Sequence, residues 1–193
     1  LGRVLPRRAG EPLVVDVPLG EFRLMGQLGG LTPHGWLGYR LAGMKANDYL
    51  NLWLHHLALN AVAADGLARH SQWIAEDREV ELTPVEGADA HLRALLEMYW
   101  QGSQRLTHFF PKSALAYVEA LRKDKNQDTD KALRAARQVW EGSAYGDNRA
   151  ERNDAYYQLA FRGTDPLDEE FVTLALAVFG PLFAQVEPAA AEA

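Results

Sequence analysis

Residues 21–28 of the chain read EFRLMGQL, and their polarity alternates from one residue to the next. The even positions carry Phe, Leu, Gly and Leu, whereas the odd positions carry Glu, Arg, Met and Gln. A period of two is typical of a strand that buries one face. Residues Thr32–Gly35 then supply a turn, and Trp36–Leu41 continues in an extended apolar pattern. We therefore predict that these two segments pair as a β-hairpin.

Outward from this hairpin, the hydrophobic spacing divides the chain into a mixed first part and a helical second part. Strands are predicted at Leu13–Val17, Ser71–Ala75 and Glu79–Leu82, and helices at Tyr49–Ala64, Ala88–Gln101, Lys112–Lys123, Asp130–Glu141, Asn153–Phe161 and Asp168–Ala184. This order predicts an α/β (α+β) domain over 11–187, with sheet and helix over about 11–84 and helices over about 85–187. Residues 1–10 are expected to be a linker or tag, and 188–193 a frayed tail.

The composition is that of a globular domain. The chain has 193 residues, 48% of them hydrophobic and 24% charged, which suits a single core. Cysteine is absent, so disulfides, thiolate nucleophiles and Cys-ligated metals are excluded. The sequence has neither an apolar run of membrane-spanning length nor the pattern of a signal peptide. We expect a cytoplasmic protein that does not enter a membrane.

The net charge of −6 argues against a broad DNA-binding face, because phosphate contacts need clustered cations. Two short basic clusters are candidate contacts to DNA or to a protein partner: Arg3, Arg7 and Arg8 near the start, and Arg122, Lys123 and Lys125 near the middle. A solvated surface is the commoner role of such clusters. Protein contacts are therefore the more favoured interactions for this domain.

Nucleotide-binding and acyl-enzyme motifs are missing: the sequence has no phosphate loop, no dinucleotide fingerprint and no Gly-x-Ser-x-Gly elbow. His55 and His56 are adjacent on a helix, about 100° apart, so a shared metal ion is disfavoured. Four tryptophans fall in apolar stripes and are predicted to lie in the core rather than to stack on bases: Trp53, Trp73, Trp100 and Trp140.

The order of strands and helices suggests a nuclease fold with two acidic strand positions and a lysine. In that chemistry the second acid and the lysine lie two residues apart on one strand face, and the carboxylates hold Mg²⁺. None of the five lysines follows an Asp or Glu by two residues. The nearest acid-x-base triplet is Glu21-Phe22-Arg23, with Asp16 on the preceding strand, and surface salt bridging is the simpler interpretation of these charges.

Two stretches nevertheless resemble the nuclease domains related to that of RecB. Residues 24–29, LMGQLG, resemble the Gly-x-Ile-Asp strand, and residues 36–40, WLGYR, resemble the Val-Val-Asp-Tyr-Lys strand. On this resemblance Gly29 and Gly38 stand at the two metal-binding acids, and Arg40 stands at the lysine. The resemblance implies a degenerate PD-(D/E)XK, restriction-endonuclease-like core with no catalytic residues, no metal site and no cofactor.

Three more stretches are similar to the C-terminal nuclease-like domain of RecC, the gamma subunit of exodeoxyribonuclease V (the RecBCD helicase–nuclease). They are residues 51–57 (NLWLHHL), 109–115 (FFPKSAL) and 155–163 (AYYQLAFRG). The resemblance implies a domain without activity of its own, within a subunit of an ATP-dependent exodeoxyribonuclease and helicase. Such a domain would hold RecB-like and RecD-like subunits in a heterotrimer and help position DNA during double-strand-break end processing in recombinational repair.

Two alternatives stay open from the sequence. One is an active metal-dependent DNA nuclease, and the other is an α/β protein-binding module unrelated to DNA. Phe109 and Phe110 are candidate anchors for a partner, although burial in the domain's own core is favoured.

Overall fold

The computed structural model describes residues 11–62, 66–142 and 150–186. They divide into two units, one formed by residues up to Met98 together with Gln185 and Val186, and the other by Tyr99–Ala184. The expected linker at 1–10 and tail at 188–193 lie outside the described residues. Within the described ranges, no helix is both long and apolar enough to cross a membrane.

The first unit begins with a two-stranded antiparallel hairpin. Strand β1 (Leu13–Leu19) pairs with β2 (Phe22–Leu28), and Leu19 faces Phe22 across the turn. Gly20 has a φ of 72°, a left-handed conformation that a two-residue turn needs and that glycine adopts without strain. The alternation read from the sequence is confirmed by burial, since Leu28 is buried and Met25 is exposed.

The partner predicted for this strand was wrong. Residues 36–41 do not pair with 21–28; β4 (Gly35–Tyr39) instead lies between the short strand β3 (Leu31–Thr32) and β5 (Ser71–Ile74) in a separate sheet. The turn at Gly20 joins β2 to the strand before it, and these two strands form a two-stranded sheet of their own. The Thr32–Gly35 turn closes only β3 onto β4, where the Thr32 hydroxyl donates to the Gly35 carbonyl at 2.9 Å.

The second sheet has the order β3-β4-β5-β6 and is built around a parallel pair. Strands β4 and β5 run parallel, and β6 (Glu79–Leu82) is antiparallel to β5. Parallel neighbours need a long crossover, which here contains helix α1 (Ala46–Val62). Helix α1 buries one face that includes Leu52, Trp53 and Leu57, and this face forms much of the core of the unit. Helix α2 (Ala88–Gln104) follows the sheet.

Helices form the second unit. They are α3 (Pro111–Lys123), α4 (Thr129–Glu141), a 3-10 turn (Glu151–Asn153), α5 (Ala155–Ala160) and α6 (Glu169–Gln185). Phe110 is fully buried, and its ring centroid lies 4.4 Å from that of Trp140 and 5.1 Å from that of Tyr157. Phe109 is half-buried against Phe179, at 6.2 Å. Both phenylalanines therefore pack within the core rather than serve as exposed anchors.

A buried carboxylate fixes the start of α3. Glu151 is 5% exposed, and it accepts hydrogen bonds from the Lys112 amide at 3.0 Å and from the amide and hydroxyl of Ser113 at 2.7 Å each. The first amides of a helix lack partners within the helix, and a negative charge is favoured beside them. Glu151 thus joins the 3-10 turn to α3.

Across the described residues, six α-helices and two small sheets confirm the mixed α/β (α+β) class. The finer expectation of a PD-(D/E)XK core stays a prediction. Three of the four tryptophans assigned to the core, Trp53, Trp73 and Trp140, are buried. The assignment was wrong for Trp100, which is 55% exposed.

Candidate functional site

Gly38 lies within β4, and Gly29 precedes β3 by two residues. In the β3–β4 register, Leu31 pairs with Trp36. The Leu37 amide also donates to the Gly30 carbonyl at 3.0 Å, so the same register continues one residue past β3. Arg40 follows Gly38 by two residues, just past the end of β4.

The space beside Gly38 is filled by two indole rings. A β-carbon at this position would lie 2.5 Å from Cη2 of Trp36 and 2.5 Å from Cε3 of Trp73. Trp73 is the register partner of Gly38 on β5, and Trp36 precedes Gly38 by two residues on the same face. Both tryptophans are 7% exposed. Glycine is therefore the residue that lets both rings pack onto this strand.

The two glycines differ sharply in their surroundings. A β-carbon on Gly29 would meet no atom within 4 Å, so this position is open. The ring of His55 stacks on the Trp36 ring beside Gly38, with centroids 4.5 Å apart. Neither glycine supplies a ligand, and a carboxylate at 38 would need the space of the rings. The residues present do not fit a metal ion held at these two positions.

Arg40 interacts with a buried carboxylate. Its Nη1 lies 3.4 Å from Oδ1 and 3.5 Å from Oδ2 of Asp48, which is 5% exposed at the start of α1. The same carboxylate accepts a hydrogen bond from the Lys45 amide at 2.8 Å. The guanidinium charge thus offsets a buried negative charge, and removing either partner alone would leave the other uncompensated. The sequence indicates Asp48 as an acid that suits a helix's first turn, but it does not reveal the pairing with Arg40.

Two buried N–H donors lack a hydrogen-bond partner among the described residues. They are Nε of Arg40 and Nε1 of Trp73. Buried N–H groups normally find an acceptor.

Asp16 and Glu21, the acids of the acid-x-base alternative, are exposed on the surface. Arg23 donates to both carboxylate oxygens of Asp16, each at 2.7 Å, and this hydrogen bonding holds the pKa of Asp16 below its ordinary value. Glu21 is exposed in the hairpin turn. Within the ranges that the structure describes, no group of three or more His, Asp or Glu side chains is arranged to hold a metal ion.

His56 belongs to a buried polar cluster. It is fully buried, and its Nδ1 lies 2.9 Å from Oγ of Ser71 on β5. Asn60, one turn later on α1, donates to the carbonyls of His56 at 2.8 Å and Arg69 at 3.1 Å. Burial lowers the pKa of His56 from 6.5 to about 4, so the ring is neutral at physiological pH. The cluster ties α1 to the sheet and is closed to solvent.

The basic cluster Arg122, Lys123 and Lys125 at the end of α3 is exposed. Arg122 lies over the Phe183 ring at 4.7 Å, and Lys123 and Lys125 are exposed. Asp124 interrupts them and pairs with Lys131 at 3.1 Å. Arg3, Arg7 and Arg8 lie outside the described residues. Cations at a helix C-terminus are also favoured by the helix dipole, so this cluster has a structural role that requires no DNA.

Comparison with known proteins places these features in a family. The family model described as "RecC C-terminal domain" matches residues 1–122, which include both glycines, Arg40 and Asp48. Among curated proteins, the RecBCD enzyme subunit RecC of Escherichia coli (strain K12) is 27% identical over 169 residues, which cover 83% of this chain and 15% of that protein. The chain therefore spans about 15% of the length of this relative. Because the family model matches more than half of its residues, the chain belongs to the RecC C-terminal domain family.

Proposed function

We propose that this chain is a non-catalytic interaction domain of a RecC-type gamma subunit of exodeoxyribonuclease V. It holds RecB-like and RecD-like subunits in a cytoplasmic heterotrimer and helps position DNA while broken ends are processed for recombinational repair. The proposal includes the degenerate nuclease-like core over residues 11–187, in which Gly29, Gly38 and Arg40 occupy the former active-site positions.

The packing around Gly38 carries the proposal. A metal-dependent nuclease needs carboxylates that converge on its metal ions. At Gly38, the molecule instead has two tryptophan rings within 2.5 Å of where a side chain would start. Restoring one acid at 38 would require both rings to move, so the loss of this site is built into the packing of the sheet and goes beyond a single substitution.

The charges support protein contacts over a large DNA contact. The net charge is −6, and Arg40, at the position of the lysine, is engaged with buried Asp48. DNA binding draws mainly on clustered free cations. Any DNA contact of this domain would come from short edges, such as Arg122, Lys123 and Lys125, or from Arg3, Arg7 and Arg8.

The partner claim is tested by co-purification. The intact protein, carrying an affinity tag, is mixed with the RecB-like and RecD-like subunits of the same organism and separated by size-exclusion chromatography. The proposal predicts a stable complex containing all three chains. An unrelated α/β binding module would elute apart from both subunits, and that result would contradict the proposal.

A further inference from the structure

The four-stranded sheet of the first unit has one covered face. Helix α1 contacts this face through the stack of His55 on Trp36 and the hydrogen bond of His56 to Ser71. Six of its residues are buried, and they are Trp36, Gly38, Ser71, Trp73, Val80 and Leu82. Successive side chains of a strand point to opposite faces. The residues between these six therefore form the other face, which we call the outer sheet face: Leu37, Tyr39, Gln72, Ile74, Glu79 and Glu81.

The strand register sets the outer sheet face in order. Its residues form two rows across β4, β5 and β6, with Tyr39, Ile74 and Glu79 in one row and Leu37, Gln72 and Glu81 in the other. Neighbouring strands lie about 4.8 Å apart, so the side chains of a row are immediate neighbours. None of the six is buried, and Tyr39 is 63% exposed. The face is therefore apolar along β4 and acidic along β6.

The negative charge of this face is uncompensated. Neither Glu79 nor Glu81 forms an ion pair with a described residue, and none of the six positions is Lys or Arg. Glu81 accepts a hydrogen bond from the neutral amide of Gln72 at 2.9 Å. Arg78 precedes Glu79 in the chain, but it donates to the hydroxyl of Tyr49 on α1 at 3.1 Å. Its guanidinium is therefore directed to the covered face.

We propose that the outer sheet face is the docking surface for a helix of a partner subunit, which places lysine or arginine side chains over Glu79 and Glu81 and an apolar side chain against Tyr39. This inference rests on the proposed function, because it names a surface through which the domain contacts one of its partner subunits. Parallel strands are ordinarily covered by helices on both faces, and α1 supplies that cover on one face of the β4 and β5 pair. Uncompensated carboxylates beside an apolar strip select a cationic partner, and the ring of Tyr39 also attracts a cation.

Nucleic acid and a second copy of the chain are less suitable occupants. Nucleic acid would bring phosphates towards Glu79 and Glu81, which repel them, whereas phosphate binding draws on clustered cations. A two-fold dimer uses the same patch on both subunits, so it would bring the uncompensated glutamates of both copies into one interface. A basic helix avoids both repulsions and uses the apolar and the acidic part of the face together.

The test measures the affinity of the intact protein for each RecB-like and RecD-like subunit by biolayer interferometry. One variant combines Glu79→Lys with Glu81→Lys and reverses the charge of the face. The other is Tyr39→Thr, which removes the exposed ring and keeps a residue type that strands favour. These side chains are exposed, so both variants should fold, and circular dichroism verifies this.

Each variant has a matched control in the first unit. Glu21→Lys combined with Glu86→Lys changes the net charge by the same amount at two exposed positions away from the face. Met25→Thr removes a side chain that is 70% exposed on strand β2. These controls separate a local effect of the outer sheet face from a general effect of charge or of lost apolar surface.

The inference predicts that each variant weakens binding to one subunit by at least about tenfold, while both controls bind like the parent. It also predicts that added salt weakens the parent more than the charge-reversed variant. If the parent binds and either variant binds as tightly, the docking role of the face is overturned and the proposed function stands. If the parent binds neither subunit, both fail together.

Three measurements without the subunits identify a different occupant. Sedimentation velocity that shows a dimer for the parent and a monomer for Tyr39→Thr would assign the face to a second copy. Fluorescence anisotropy of a labelled oligothymidylate that falls with Tyr39→Thr would assign it to nucleic acid. A urea midpoint that the charge reversal lowers and its control does not would mean that the chain itself covers the face. Any of these results, with subunit binding unchanged, overturns the inference.

Discussion

The packing around Gly38 predicts that substituting this glycine, even by alanine, lowers the stability of the protein. Replacing glycine by alanine in a strand ordinarily stabilises a protein by about 0.5–1 kcal/mol, because glycine loses the most chain entropy on folding. Gly38 has no left-handed φ that would oppose the change. The sign of the effect therefore depends only on whether the added β-carbon has room.

The structure predicts that it has none. The added carbon would lie 2.5 Å from both the Trp36 and the Trp73 ring, about 0.9 Å closer than ordinary van der Waals contact. Both rings are anchored, Trp36 by its stack on His55 and Trp73 by its place in β5. Overpacking of this kind costs about 1–3 kcal/mol. Gly38→Asp adds a carboxylate without a partner, which costs roughly a further 1–3 kcal/mol.

Urea unfolding followed by tryptophan fluorescence measures these differences. Gly29→Ala and Gly29→Asp are matched controls, since the space beside Gly29 is open. The controls should leave the unfolding midpoint unchanged or slightly raised. Gly38→Ala should lower it, and Gly38→Asp should lower it further.

A neutral or stabilising Gly38→Ala would refute the reasoning, because it would mean that the rings do not occupy this space. A Gly38→Asp variant that folds like the parent and gains Mn²⁺ affinity would refute it more strongly, since the acid position would then still be available.

Four other substitutions, at three positions, test buried polar interactions. Burial lowers the pKa of His56 to about 4, so this side chain binds a proton more readily in the unfolded state. The free energy of unfolding should therefore fall by up to about 3 kcal/mol as the pH drops from 6.5 towards 4. In His56→Gln, urea unfolding at each pH should show that this part of the acid sensitivity is absent. Glu151→Ala should cost about 2–4 kcal/mol in thermal unfolding, because three donors of Lys112 and Ser113 lose their acceptor; a change below about 0.5 kcal/mol would contradict the capping role. Arg40→Met should cost roughly 1–3 kcal/mol by leaving Asp48 buried without its cation, and Arg40→Lys should recover part of the loss; equal stability of both variants would contradict the pairing.

Most helices and strands could be predicted from the sequence because their signals are local. The alternation over residues 21–28 and the helical spacing that begins at Tyr49 depend only on neighbouring residues. The pairing of strands is not local, and Gly20 and Thr32–Gly35 both provided turn signals. The prediction followed the later turn, whereas β1 closes on β2 through Gly20. Strand β3 has two residues, which are too few to show the alternation of buried and exposed side chains that identifies a strand.

The candidate site shows the same limit. Gly29, Gly38 and Arg40 could be singled out by resemblance. The sequence does not explain why residue 38 is glycine. Trp73, which packs beside it, lies 35 positions later in the chain, and only the parallel pairing of β4 with β5 brings the two residues together. Trp100 was assigned to the core from its stripe on α2. Helical spacing indicates which residues share a face, but it does not reveal whether another element covers that face.

The most direct test of the central claim is a nuclease assay on the purified intact protein without its partner subunits. Single-stranded and double-stranded DNA are incubated with Mg²⁺ or Mn²⁺, and Glu21→Ala is run in parallel. A domain whose acid position is filled by Trp36 and Trp73 should release no nucleotides above the protein-free background. Metal-dependent cleavage that is lost in Glu21→Ala would contradict the account and place an active site on the hairpin.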